Sequence, residues 1–151
     1  MNTSDETVMK FKSWFSNEKW SVGFETDNRS FRDSANVFVK DIKPRTNSSF
    51  SFSMTMHDSI GDSLATGIVV VDESASSQAH IMFEKTYINR SAAGQTGSFD
   101  LLLYRGVKTG EVINGRWSYE GYEANTQFAG SWRMAKDGTD RAKDIMMMND
   151  G

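Results

Sequence analysis

From Trp20 onward apolar and polar residues alternate one for one, and this rhythm constrains the chain more than any other feature. It is clearest where Phe50, Phe52, Met54 and Met56 alternate with Ser49, Ser51, Ser53 and Thr55. A period of two places the first set on one face of an extended strand and the hydroxyls on the other, the pattern of a half-buried antiparallel strand. Trp20, Val22 and Phe24 alternate in the same way with Ser21, Gly23 and Glu25. Further strands are predicted over 35–43, ended by the only proline (Pro44), and over 64–71, 79–88, 99–105, 111–119 and 126–135. The breaks carry turn chemistry, as in Asp58-Ser59-Ile60-Gly61-Asp62 and Lys108-Thr109-Gly110. Parallel pairing needs crossovers of roughly a dozen residues, and few gaps are that long. The order therefore predicts an antiparallel meander of about eight strands. Its two usual outcomes are an up-and-down barrel and a two-sheet sandwich, and closure into a barrel removes the exposed edges of a lone sheet.

Helical spacing occurs ahead of the strands. Val8, Phe11, Trp14 and Phe15 share one face of a predicted helix over 4–16, and Thr3 with Glu6 matches a capping box. The expected architecture is mainly β: a single antiparallel up-and-down barrel of about eight strands with an N-terminal α-helix. Residues 1–18 form the helix packed on one mouth, 19–136 the barrel and 137–151 a C-terminal tail. In the tail, Ile145-Met146-Met147-Met148 follows a charged stretch. A docking helix and a partner-binding patch are alternatives there, but chain ends are usually mobile, so it reads as frayed.

One motif repeats. Residues 113–119 and 128–134 share the pattern apolar-x-Gly-x-Trp-x-apolar, with Gly115 two before Trp117 and Gly130 two before Trp132. Each glycine shares a strand face with its tryptophan. The two copies flank 120–125 and predict a hairpin in which the glycines let the sheet curl and give each indole a place to lie. Both indoles read as barrel core, with a tryptophan-walled cavity as the functional alternative. Together with Phe83-x-Lys85-x-Tyr87 and Tyr104-x-Gly106, these strings resemble the closing strands of calycin-type barrels, the lipocalins and fatty-acid-binding proteins. The resemblance spans roughly 80–135. It implies the barrel fold and the habit of holding an apolar ligand, and it assigns no individual binding residue.

Composition excludes several classes. The 17 basic and 20 acidic residues give a net charge of -3, which argues against general nucleic-acid binding. No apolar run approaches the roughly 20 residues of a membrane span. The absence of cysteine removes thiolate nucleophiles and cysteine metal sites, and with no secretory leader visible at residues 1–6 it points to the cytoplasm. Four Asn-x-Ser/Thr triplets, at Asn2, Asn28, Asn47 and Asn89, read as chance in a serine-rich chain. His57 reads as a solvated turn residue and His80 as a surface strand residue, so no nucleophile–base pair is apparent. No metal-ligand spacing appears, and the glycine-containing stretch 91–97 lacks the lysine of a phosphate loop. No cofactor is expected.

What remains is a binding surface. Lys85 is in phase with Ala79, Ile81, Phe83 and Tyr87, and Arg105 with Phe99, Leu101 and Leu103. A buried charge is costly unless paired. Each cation therefore snorkels at the barrel rim or meets a carboxylate, either a ligand's or that of Asp41, which is in phase with Val37 and Val39. The expected function is non-catalytic binding of a small apolar or amphipathic molecule inside the barrel. Its lining would be Phe52, Met54, Phe83, Lys85, Tyr87, Arg105, Trp117 and Trp132, with Tyr119 as a further candidate. Two alternatives are a protein-interaction module whose barrel is solid and a cofactor-free cyclase or isomerase.

Overall fold

The structure is a computed structural model and describes residues 3–15, 19–59, 61–72, 78–90, 101–137 and 139–146. The expected connection at 91–97, Phe99, Met147 and Met148 lie outside the described residues, as do the side chains of Thr3 and Glu6. Helix α1 (Thr3–Phe15) is followed by strands β1 (Lys19–Thr26), β2 (Arg32–Thr46), β3 (Ser49–His57) and β4 (Gly61–Asp72). Then come β5 (Gln78–Arg90), β6 (Leu102–Thr109), β7 (Val112–Tyr119), β8 (Ala129–Lys136) and helix α2 (Asp140–Met146). Each strand pairs antiparallel with the next, and β8 returns to pair with β1, so the sheet closes on itself. The alternating residues explain the closure: one face of the ribbon is apolar along nearly its whole length, and only curling hides it all. That inward face carries Trp20, Val22 and Phe24 of β1, Phe50, Phe52, Met54 and Met56 of β3, and Ile81 and Phe83 of β5, all buried.

Helix α1 covers the end of the barrel where β1 starts and β8 finishes. Phe11 and Phe15 are buried against Phe50, with ring centroids 5.9 and 6.3 Å apart. Phe15 also meets Phe52 edge-on at 5.1 Å. The Trp20 indole N–H donates to the Phe15 carbonyl at 3.3 Å, satisfying an orphan acceptor at the helix end. Trp14 reaches over to donate to Glu111 at 2.7 Å.

Three sequence expectations change. Strand β2 runs on through Pro44 to Thr46, because register shifts at Lys40/Lys43 and Pro44/Thr46 form bulges, where proline is tolerated. The first of these shifts puts Asp41 at φ 54 and turns it out to solvent, where it accepts from the Ser53 hydroxyl at 2.9 Å. Asp41 is thus exposed, and its carboxylate is not the inward one the two-residue period suggested. The C-terminal segment is helical over Asp140–Met146 rather than frayed. Thr139 caps it by accepting from the Ala142 N–H at 3.1 Å. Ala142 and Ile145 bury against Val112 and Ala135 on the outer wall. This cover also explains why Ser21, which points outward, is wholly buried, with its hydroxyl 3.3 Å from Asp137.

Candidate functional site

The end of the barrel opposite α1 differs from the helix end: its inward residues become polar. On β5 the inward series Ala79, Ile81, Phe83 continues into Lys85 and Tyr87. On β3 the series Phe50, Phe52, Met54, Met56 continues one step past the strand to Asp58. On β2 the series Val39, Val37, Ala35 continues backward to Asp33, and on β4 Val71, Val69, Ala65 lead to Ser63. Asp33, Asp58, Ser63 and Lys85 are all buried.

Lys85 does not snorkel to the rim; it is fully buried. Its ammonium lies 3.0 Å from Asp58 Oδ2 and 3.0 Å from the Tyr87 hydroxyl, which itself donates to the same Asp58 oxygen at 2.6 Å. Three rings surround the charge: Tyr87 at 4.6 Å, Phe24 at 4.8 Å and Tyr104 at 5.7 Å from centroid to nitrogen. Burial opposes the charge on Lys85, yet the ion pair and hydrogen bonds outweigh it and hold the amine above its usual range. Burial pushes the Tyr87 and Tyr104 hydroxyls well above the ordinary phenol, so both stay protonated and neutral.

A second carboxylate lies beside this group. Asp33 accepts from the Ser34 N–H and the Ser59 N–H, each at 2.9 Å, and from the Ser59 hydroxyl. Those donors are neutral. The hydroxyl of Ser63, 1% exposed and inward between the partners Met56 and Tyr87, has no hydrogen-bond partner.

The aromatic lining follows the repeat. Trp117 stands opposite Gly130, and Gly115 opposite Trp132 and Gly106. A methyl group on Gly106 would lie 2.7 Å from the Trp132 ring, so that indole lies over the glycine backbone. Trp132 donates to the carbonyls of Arg105 and Arg116 at 3.1 Å each, and Trp117 to that of Ser131 at 3.0 Å. The glycine under the Trp132 indole is thus Gly106 of β6, whereas the hairpin glycines Gly115 and Gly130 are crowded by the backbone of Arg105 and Glu25 on the paired strands rather than by an indole. Phe83 and Tyr104 stack at 4.6 Å, and Trp132 meets Phe83 edge-on at 5.4 Å. Phe52, Met54, Phe83, Trp117 and Trp132 all face inward and are buried, with Phe52 toward the α1 end. Tyr87 and Tyr119 are half-buried against the same core.

Arg105 is not among them. The inward residues of β6 are Leu102 and Tyr104, so Arg105 is exposed on the outer wall. Both phases of Leu101-Leu102-Leu103 are apolar, which is why alternation could not set the phase there. Arg105 instead borders an outer-wall depression of about 710 Å³ lined by Ser53, Thr66, Gly67, Met82 and Glu84. Another, of about 530 Å³, exposes Phe38, Leu64 and Ile88.

Both histidines are exposed. His57 contacts Asp62 at 2.5 Å, and that hydrogen bond raises its pKa. Among the described residues no group of three or more metal-ligating side chains converges, and no helix is long and apolar enough to cross a membrane. Asp33, Asp58 and Ser63 are the site residues that sequence reading missed. Their signal was in the sequence, since each continues an inward series by two residues, but a polar residue at a strand end reads as a turn.

No family model matches the chain, and no curated protein matches it. Among solved structures it is similar to a de novo designed fluorescence-activating β-barrel, at 14% identity over 82% of this chain and 94% of that one, with a TM-score of 0.45, a likeness too distant to bear on topology or function.

Proposed function

We propose that this protein is a non-catalytic binding module that holds a small apolar or amphipathic molecule in the barrel end opposite α1. One observation carries the reading: a lysine, a carboxylate and a tyrosine hydroxyl are grouped inside the barrel and walled by aromatic rings. Stability does not call for them, because a well-packed apolar set of similar volume is often as stable as a buried ion pair. A few polar groups among rings are what orient a ligand in a small-molecule site. Hydrocarbon burial would supply affinity at roughly 25 cal/mol per Å². Tyr87 and Ser63 would orient the polar end beside the Lys85–Asp58 pair, and Phe24, Tyr104 and Trp117 would hold the rest. The calycin resemblance of 80–135 points the same way, and the absence of cysteine supports a cytoplasmic setting.

A neutral, environment-sensitive dye such as Nile red tests this. It is expected to bind one per chain, shift its emission to the blue and quench tryptophan fluorescence. Trp117→Phe should remove most of that quenching and Trp20→Phe, at the α1 end, little of it. A folded sample that leaves the dye in water overturns the reading. That result would favour a protein-interaction module, whose observation is the exposed Phe38, Leu64 and Ile88 on the outer wall.

A further inference from the structure

We infer that this end of the barrel selects a cation: a protonated amine carried on an apolar tail. The inference rests on the binding reading above and names the ligand class for that same site. The reasoning starts from the buried charges. Lys85 brings one positive charge, but Asp58 already matches it at 3.0 Å. Asp33 is equally buried, and its contacts come from two backbone N–H groups and a serine hydroxyl, none of them charged. Among the described side chains, the enclosed group therefore carries one formal negative charge in excess. A ligand carboxylate would add a second, in a setting where charge is poorly screened, whereas an ammonium would cancel the first. The exposed rim charges, Glu25 with Arg29 at 3.7 Å and Arg32 at 3.1 Å and Asp27 with Arg116 at 2.5 Å, sum to one positive charge, but solvent screens them far more than it screens the enclosed group.

Two further observations fit an ammonium. The Ser63 hydroxyl is buried, faces the interior beside Tyr87 and has no partner, so it offers an acceptor that the fold itself leaves unused. Rings follow one another along this end: Phe24 to Trp117 at 6.2 Å, Trp117 to Tyr119 at 6.2 Å, and Tyr119 to Phe128 at 5.7 Å. Ring faces attract cations and repel anions.

The test compares three probes with one tail, decylammonium, decanoate and decanol, below their micelle concentrations, by titration calorimetry against the whole chain. Decylammonium is expected to bind about tenfold or more tightly than decanoate, with decanol between them. Asp33→Asn should bring the two charged probes to within about twofold of each other while leaving decanol unchanged. Equal binding of all three, or tighter binding of decanoate, overturns the cation inference and leaves the binding reading standing. Failure of all three to bind overturns both. If Asp33→Asn fails to fold, because Asp33 holds the β3–β4 turn, Ser63→Ala decides, and an unchanged decylammonium affinity in that variant overturns the inference.

Discussion

At the scale of single residues, the arrangement of Lys85, Asp58 and Tyr87 sets two energies against each other. Desolvating the ammonium and the carboxylate costs several kcal/mol per ion, and their attraction with the tyrosine hydrogen bond offsets it. Removing one partner alone, as in Lys85→Met, leaves Asp58 buried without its cation and should cost about 3–5 kcal/mol. Replacing all three, as Lys85→Met with Asp58→Leu and Tyr87→Phe, should restore most of that loss. The same groups fix an alkaline limit. The folded value of Lys85 stands above its unfolded 10.5, so the folded chain holds that proton more tightly. Its contribution is whole below about pH 10.5 and is lost as pH rises through the folded value. Tyr87 and Tyr104, raised from 10.0 by burial, act with the same sign. Urea midpoints measured from pH 7 to 11 check both points. The native chain should lose stability steeply above about pH 10, and the triple variant less so. A triple variant as unstable as Lys85→Met would show the group to be needed by the fold and would remove the main ground for a ligand.

Elements were legible in proportion to how strictly their residues alternate. Strand β3, with four apolar residues in phase against four hydroxyls, was readable in both extent and facing. Strand β6 was not, because leucines occupy both of its phases, and Arg105 was placed on the wrong face as a result. Strand β2 was readable only up to its bulge, since an inserted residue leaves composition unchanged while reversing every later side chain. The β7–β8 hairpin was readable through its glycines. Their role is steric: a methyl on Gly115 would lie 1.8 Å from the Arg105 carbonyl oxygen, and one on Gly130 1.7 Å from that of Glu25. Both contacts are with backbone of a paired strand, so no rotamer change relieves them. Gly110, by contrast, has φ +62 and open space around it, so a methyl there meets only conformational strain. Gly115→Ala and Gly130→Ala should each cost about 3 kcal/mol or more, against about 1–2 kcal/mol for Gly110→Ala, read from thermal midpoints. Equal losses at the three positions would refute this account of the hairpin.

For the molecule as a whole, the two barrel ends are chemically unlike, and the sequence carried that division in each inward series as it passed from apolar to polar. It was hidden because a strand's polar end and the turn that follows look alike in composition. One end is shut by the rings of α1 and the other holds the buried charges. Closure itself does not pass through α1. The β1–β8 ladder runs from Trp20↔Lys136 to Thr26↔Gly130, and α2 braces it from outside. Removal of residues 1–18 should therefore leave a closed barrel, destabilised because Phe11 and Phe15 no longer bury their rings; truncating a buried phenylalanine typically costs about 3–5 kcal/mol. Far-ultraviolet circular dichroism should retain the strand signal while the urea midpoint falls. Trp20, Phe50 and Phe52 would then face water at the vacated end, and a neutral apolar dye should gain a second site there. That second site is insensitive to Tyr87→Phe, because Tyr87 lies at the far mouth. A truncated chain with no strand signal would mean that α1 helps to form the barrel rather than merely stoppering it, and the two ends would then be a single cooperative core.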